Sequence, residues 1–152
     1  MLLTLPTGFA SCSPDETELP LQAVPGDNNN NPDSPMSNQL KITIGDASYH
    51  VTLEDNATAK AFKTQLPMTA GMFELNGNEK YCNLPSGLPA ASVHPGTIRA
   101  GDLMLYGSAT LVLFYKSFST SHSYTRLGRV NNVSGLASAL GSGSVQVKFE
   151  LQ

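Results

Sequence analysis

Short segments in which apolar and polar residues alternate recur along most of this chain. Residues 39–45 and 49–54 alternate on either side of the turn-prone pair Gly45-Asp46, and residues 144–151 alternate strictly near the other end. A period of two places every second side chain on the same face of an extended strand, so each segment predicts a β-strand with one buried face. The first two segments, with the turn between them, predict a β-hairpin.

The middle of the chain repeats this pattern between further turn signals. The Asn76-Gly77 pair predicts a second hairpin, because this dipeptide favours tight hairpin turns. The most apolar segments lie on either side of Gly107-Ser108 and predict the central, most buried strands. A Pro- and Gly-rich passage, residues 85–101, is expected to cross the barrel without regular structure. The strand segments predicted here are residues 72–75, 80–84, 102–106, 110–116 and 124–130.

A first helix is predicted directly after the first hairpin. Asp55 or Asn56 is expected to cap its start, because both side chains accept hydrogen bonds from the free N–H groups of a first helical turn. Residues 58–66 carry apolar residues at helical spacing, and Pro67 is expected to end the helix.

A second, shorter helix is predicted near the end of the chain. Asn132 is expected to cap it, its apolar positions fall within residues 136–140, and Gly141 is placed to end it in the left-handed conformation. About eight strands and two short helices predict an all-β fold, a closed barrel with the helices covering its open ends.

Composition and spacing exclude several classes of function. The formal charge is −3, only 14% of the residues are charged, and Lys and Arg form no cluster, so no nucleic-acid partner is expected. The histidines at positions 50, 94 and 122 have no ligand-type spacing, so neither a metal nor another cofactor is predicted. No Gly-x-Ser-x-Gly segment is present, which argues against a hydrolase triad. Cys82 is expected to be a small buried residue, not a nucleophile.

The first residues suggest attachment to a membrane through a lipid. Residues 1–12 are short and apolar and end in Ala10-Ser11-Cys12, which resembles the end of a bacterial lipoprotein signal, so Cys12 is the predicted lipidation site. The alternative is a frayed apolar terminus with an incidental Cys. Residues 13–37 are rich in Pro and Asn and predict a disordered tether, and residues 38–152 predict the globular domain.

This organisation predicts where the protein resides. No segment approaches the roughly 20 apolar residues that span a bilayer, so any membrane contact is expected only through the lipid anchor. The predicted location is the cell envelope, on the periplasmic or outer-membrane side. If the leader is not a signal, the alternative location is the cytoplasm.

Several segments resemble a known family. Residues 127–130, followed by a short helix and a last alternating strand, are similar to the end of cyclophilins. Residues 55–59, 76–81, 95–98, 100–104 and 124–129 resemble small bacterial cyclophilin-like proteins, and the likeness extends over residues 39–151. The resemblance implies a cyclophilin-type β-barrel.

The resemblance also implies where a binding pocket would lie. Proline isomerases of this family carry an Arg on a segment like Phe-His-Arg, and the corresponding stretch here, residues 73–84, contains no Arg. Phe114 would keep the apolar floor of the proline pocket, and Tyr124 would replace the pocket His. Arg126, two residues later, would lie on the same strand face. Tyr106 completes the candidate pocket. The alternatives are plain core packing for Phe114, a solvent-facing position for Arg126, and for Tyr106 a packing role with a satisfied hydroxyl.

Two functions follow from these observations. The first is a non-catalytic binding module on a lipid tether, whose shallow groove recognises a proline-containing or extended peptide, or a small ligand. The second is a divergent or weak peptidyl-prolyl cis-trans isomerase, because twisting a prolyl bond needs only a hydrophobic seat and a well-placed donor. The absence of the Arg segment favours the binding module.

Overall fold

The computed structural model describes residues 37–152. Cys12 and nearly all of the predicted tether lie outside the described residues. The described part contains ten strands and two short helices. The strands are β1 (Gln39–Ile44), β2 (Ala47–Leu53), β3 (Met68–Leu75), β4 (Glu79–Asn83), β5 (Thr97–Ile98), β6 (Asp102–Tyr106), β7 (Thr110–Phe114), β8 (Phe118–Ser119), β9 (Thr125–Val130) and β10 (Val145–Leu151), and the helices are α1 (Ala57–Lys63) and α2 (Leu136–Leu140).

Eight of the strands close into an antiparallel barrel. Its order is β1-β10-β3-β4-β7-β6-β9-β2, and β2 pairs back to β1. β5 and β8 form a separate two-stranded ribbon. The predicted all-β barrel with two short helices is therefore confirmed. Among residues 37–152, no helix is long and apolar enough to cross a membrane.

Both predicted hairpins form around their turn signals. Asn76 and Gly77 adopt positive φ angles of 56° and 67°, and the Asn78 N–H donates to the Leu75 carbonyl over 3.3 Å. Positive φ at both central residues is the requirement of a type I′ turn, which explains the Asn-Gly pair at this position.

The two most apolar strands bury both of their faces. Leu103 and Leu105 of β6 point into a large interior cluster, whereas Met104 between them belongs to a second, smaller cluster. β7 divides in the same way, with Leu113 inside and Phe114 in the second cluster. Since successive side chains of a strand point to opposite faces, the second cluster lies on the outer face of the barrel.

The outer cluster is covered by segments that were expected to be irregular. Residues 85–101 were predicted to lack regular structure, but β5 forms within them and pairs with β8, which lies in the Ser-rich segment 117–123. Ile98 and Phe118, directly opposite each other in this ribbon, pack against the outer cluster. The prediction was wrong here because two-residue strands carry too few positions to show alternation.

The two helices differ in how well the sequence predicted them. Asn56 caps α1, its side-chain oxygen accepting the Ala59 N–H over 2.8 Å. The predicted cap of α2 was wrong: Gly135 holds the N-cap position, and Asn132 instead accepts the Ser134 N–H before the helix begins. Gly141 ends α2 with a positive φ of 69°, but its ψ of −170° is extended and not left-handed helical. Both helices bury residues in the interior cluster.

Candidate binding groove

An open groove of about 570 Å³ lies over the outer face of the barrel. Its walls come from the β3–β4 turn, from β4, β6 and β7, and from the loop that leads into β9. Aromatic rings, hydroxyl groups and amides make up most of its lining. The lining residues are Leu75, Asn76, Asn78, Glu79, Tyr81, Tyr106, Thr110, Val112, Phe118, Ser119, Thr120, Ser121, His122 and Tyr124.

The aromatic rings of the groove pack against one another in series. The centroid of the Tyr106 ring lies 5.7 Å from that of Tyr124 and 6.2 Å from that of His122. Tyr124 in turn meets the Phe114 ring edge-on at 5.4 Å, and Phe118 lies 5.7 Å from Phe114. These separations are those of favourable aromatic pairs, so the rings support each other's orientation before any ligand binds.

The four residues predicted to form the pocket do not all meet in this groove. Tyr106 and Tyr124 line it, and Tyr106 is 49% exposed. Phe114 is 0% exposed and lies beneath the rings of Tyr124 and Phe118, so it supports the groove without contacting its contents. Arg126 lines a different, smaller cavity beside the start of α1.

The position of Arg126 follows from the local strand geometry. Arg126 pairs with Met104, whose side chain is on the outer face of the barrel, so the Arg126 side chain also leaves the strand on the outer face, as alternation predicts. The ladder shifts register between Leu103 and Met104, so that Leu127 is an extra residue on β9. Such a bulge re-aims side chains along the strand. The exposed Arg126 shares its cavity, of about 290 Å³, with residues of the α1 start and of the 89–93 segment.

Glu79 is a groove residue that the sequence did not identify. Its register partner is the fully buried Phe114, and Glu79 itself is only 7% exposed. Within residues 37–152, its carboxylate has neither an ion pair nor a hydrogen bond. Burial raises the pKa of Glu79, and the neighbouring Glu74 charge raises it further. Glu79 lies two positions before Tyr81 on β4, so the two side chains share a face of the strand. This spacing in the sequence could have identified Glu79 as a groove residue.

Further polar atoms accompany Glu79 in the groove. The Asn78 side-chain oxygen is buried and has no hydrogen-bond partner among the described residues. Burial raises the pKa of the Tyr124 phenol, the Glu79 charge adds to this, and a hydrogen bond with Thr120 opposes it. The groove therefore offers acceptor atoms in a partly dehydrated setting. Its lining includes no Lys or Arg.

Outside the groove, the described residues offer little reactive chemistry. Cys82 is buried in the interior cluster, as predicted, and burial raises the pKa of its thiol to about 11. A thiol of this kind stays protonated near neutral pH and is a poor nucleophile. His94 and Ser123 contact each other, with the hydroxyl 3.2 Å from Nδ1. No group of three His, Cys, Asp or Glu within residues 37–152 is arranged to hold a metal ion.

Comparisons with known proteins agree with this architecture. Residues 42–150 match the model of a family described as the cyclophilin-like family. Among solved structures, the chain is similar to the solution structure of the hypothetical protein AF2241 from Archaeoglobus fulgidus, with 18% identity and a TM-score of 0.51. The match covers 79% of this chain and 98% of that protein, and it concerns the fold alone. No curated protein matches the sequence. The predicted relationship is confirmed, whereas a bacterial source stays a prediction.

Proposed function

This chain belongs to the cyclophilin-like family, and we propose that it is a non-catalytic binding module whose outer groove holds an extended peptide. The observation that carries the proposal is the open aromatic groove, whose exposed rings rest on a fully buried cluster. Tyr106, which is 49% exposed, offers flat apolar surface with a polar tip, which suits the contact of a peptide backbone and its side chains, and the buried Tyr124 supports it from below.

The rigidity of the groove supports binding over mere packing. Phe114, Met104 and Val112 are at most 2% exposed and lie under the aromatic rings. A groove of fixed shape lowers the entropy that is lost on binding, because its side chains are already ordered. The loop that carries Thr120 is also fixed, since the Thr120 N–H donates to the Gly96 carbonyl over 2.9 Å.

The chemistry of the groove favours binding over isomerisation. Lowering the barrier of a prolyl bond requires a donor aimed at the twisting peptide. The cationic candidate, Arg126, lines the other cavity, and the predicted seat for the proline ring, Phe114, is covered by Tyr124 and Phe118. Prolyl isomerisation is therefore the alternative that the experiment must separate from binding.

A single NMR experiment tests both functions. The ¹⁵N-labelled full chain is titrated with an end-capped peptide containing one Ala-Pro bond flanked by leucines, and the cis/trans exchange rate of the peptide is measured in the same samples. We expect shift changes at residues 75–81, 106 and 118–124, with no acceleration of exchange. Acceleration that Tyr124→Ala removes would replace the proposal by a divergent isomerase. If no extended peptide shifts these residues, the binding proposal is wrong.

We also propose that Cys12 carries a lipid that attaches the domain to the cell envelope. Two sequence features support this proposal: the small-residue pair Ala10-Ser11 before Cys12, and the Pro- and Asn-rich stretch after it. In cells of a bacterium that processes lipoproteins, the wild-type chain should sediment with membranes, and Cys12→Ser should move it to the supernatant. A wild type that is already in the supernatant contradicts the anchor.

A further inference from the structure

We propose that the groove selects peptides that present an arginine, whose guanidinium group is held at the Glu79 carboxylate. This inference rests on the proposed function and specifies its ligand. It begins from an unusual arrangement: a carboxylate that is more than nine-tenths buried, lines an open groove, and has no partner within residues 37–152.

Among residues 37–152, no cation is positioned to neutralise Glu79. The adjacent Lys80 points to the opposite face of β4, where its ammonium lies 3.0 Å from Glu74 and donates to the Gly141 and Gly143 carbonyls. Arg126 lines the other cavity. Buried carboxylates are normally paired, because taking the charge out of water costs free energy that a partner offsets. A cation delivered by a ligand would be that partner.

The walls of the groove suit a planar cation. Tyr81, which is half-buried, and Tyr106, which is exposed, line the same groove as Glu79, and the buried Tyr124 lies at its base. The faces of aromatic rings attract cations, and guanidinium groups stack on them more readily than ammonium groups do. Ion pairing at Glu79 and stacking on a tyrosine can therefore act on one side chain at the same time.

The polar atoms of the groove favour arginine over lysine. The guanidinium group has five N–H donors, more than one carboxylate can accept. The buried side-chain oxygen of Asn78 receives no hydrogen bond from residues 37–152, and Tyr124 and Thr120, which each carry a hydroxyl, belong to the same lining. These acceptors can use the remaining guanidinium donors, whereas an ammonium group offers only three.

An apolar shelf beside the groove indicates what should flank the arginine. Phe73 is 54% exposed and Leu75 is 42% exposed. Both lie on the outer face of β3, and the Phe73 ring packs 5.9 Å from that of Tyr81. Since the shelf continues the aromatic wall, a peptide with leucine on either side of its arginine can cover exposed apolar surface as it binds.

The test compares end-capped peptides Ala-Leu-X-Leu-Ala, in which X is arginine, citrulline or glutamate. Citrulline has nearly the shape of arginine but no charge, so it isolates the ionic contribution. Binding to the ¹⁵N-labelled full chain is followed by NMR at pH 7. We expect the arginine peptide to bind about tenfold more tightly than the citrulline peptide, and the glutamate peptide to bind least. Glu79→Gln should reduce the preference for arginine to less than about twofold.

A control variant separates the local effect of Glu79 from a change in net charge. Glu54→Gln removes an exposed carboxylate at the end of β2 and should leave the preference for arginine unchanged. If the arginine and citrulline peptides bind the groove equally, the inference is wrong and the proposed function stands. If none of the three peptides shifts the groove residues, the inference is wrong, and if the Ala-Pro peptide does not shift them either, the proposed function fails as well. An arginine preference that survives Glu79→Gln also contradicts the inference.

Discussion

Strand β4 carries two charged neighbours that point to opposite faces of the barrel and meet opposite environments. Lys80 points inward and is 0% exposed, and Glu79 points outward and is 7% exposed. Both are removed from water, and both would be costly if they were left alone. Lys80 has its partners within the fold, whereas Glu79 is the residue at which we propose that a ligand binds.

On the inner side, every charge has partners. The Lys80 ammonium lies 3.0 Å from a Glu74 oxygen and donates to the Gly141 and Gly143 carbonyls at 2.9 and 2.6 Å. The Tyr115 hydroxyl donates to the same Glu74 carboxylate over 2.6 Å. This network joins β3 and β4 to the segment after α2, so its charges are part of the structure.

The pKa values of Glu74 and Glu79 shift in opposite directions, because only Glu74 has hydrogen-bond donors and a cation beside it. Burial alone would raise the pKa of Glu74, but hydrogen bonds from Tyr115 and Lys80, the Lys80 charge and the Gly77 N–H together lower it. Burial, hydrogen bonding to Glu74 and the nearby negative charges raise the pKa of Tyr115 to about 12. Glu79 has burial and the Glu74 charge but no donors, so its pKa rises.

The largest expected effect comes from a substitution that breaks the inner network of Lys80, Glu74 and Tyr115. Lys80→Ala should lower the free energy of unfolding by about 3–5 kcal/mol, because it leaves a carboxylate and two carbonyls without their shared donor. Urea denaturation at pH 7 measures this. Lys60→Ala, at a lysine side chain that is 70% exposed, is the matched control and should change stability by less than about 0.5 kcal/mol. Equal losses in the two variants would mean that the network contributes little to stability.

A smaller effect is expected on the outer face. Tyr106→Ala should cost only about 1 kcal/mol of stability, because the side chain is half exposed and loses mainly its contacts with Tyr124 and His122. Phe149→Ala in the interior should cost about 3–5 kcal/mol. Thermal and urea unfolding compare the variants, and peptide titration should show lost binding for Tyr106→Ala. A Tyr106 variant as unstable as the Phe149 variant would make Tyr106 a core residue.

The smallest expected effect is a gain in stability, where the preceding substitutions cause a loss. A carboxyl group whose pKa is raised in the folded state favours folding below its ordinary value of 4.5, and this contribution is lost as the pH rises through the folded-state pKa. Glu79→Gln should therefore stabilise the protein at pH 7 and not at pH 4. Unfolding temperatures at both pH values measure the difference, with Glu54→Gln as control. A gain of equal size at pH 4 would show that the Glu79 charge is not its cause.

Much of the barrel could be predicted from short-range signals. The alternating segments became strands, Asn76-Gly77 became a type I′ turn, and Asn56 became the α1 cap. Each of these depends on a few adjacent residues whose backbone preferences and hydrogen bonds are decided locally. The predicted cap at Asn132 failed because a nearby Gly135 begins the helix instead.

The candidate site depended on which segment covers which strand face. Alternation puts the neighbours Phe114 and Tyr115 on opposite faces, and the structure withdraws both from water, Phe114 fully on the outer face and Tyr115 partly beside Glu74. It also placed Arg126 on the same strand face as Tyr124, whereas the structure puts the two side chains in separate cavities.

Alternation, turn signals and family resemblance were enough to predict the eight barrel strands, the two hairpins and the cyclophilin-like family. The three-dimensional structure was needed to show that the β5–β8 ribbon packs against the outer cluster, and that Glu79 lines the groove with no partner within residues 37–152. A period of two indicates which side chains share a face, but whether that face is buried depends on which other segments of the chain pack against it.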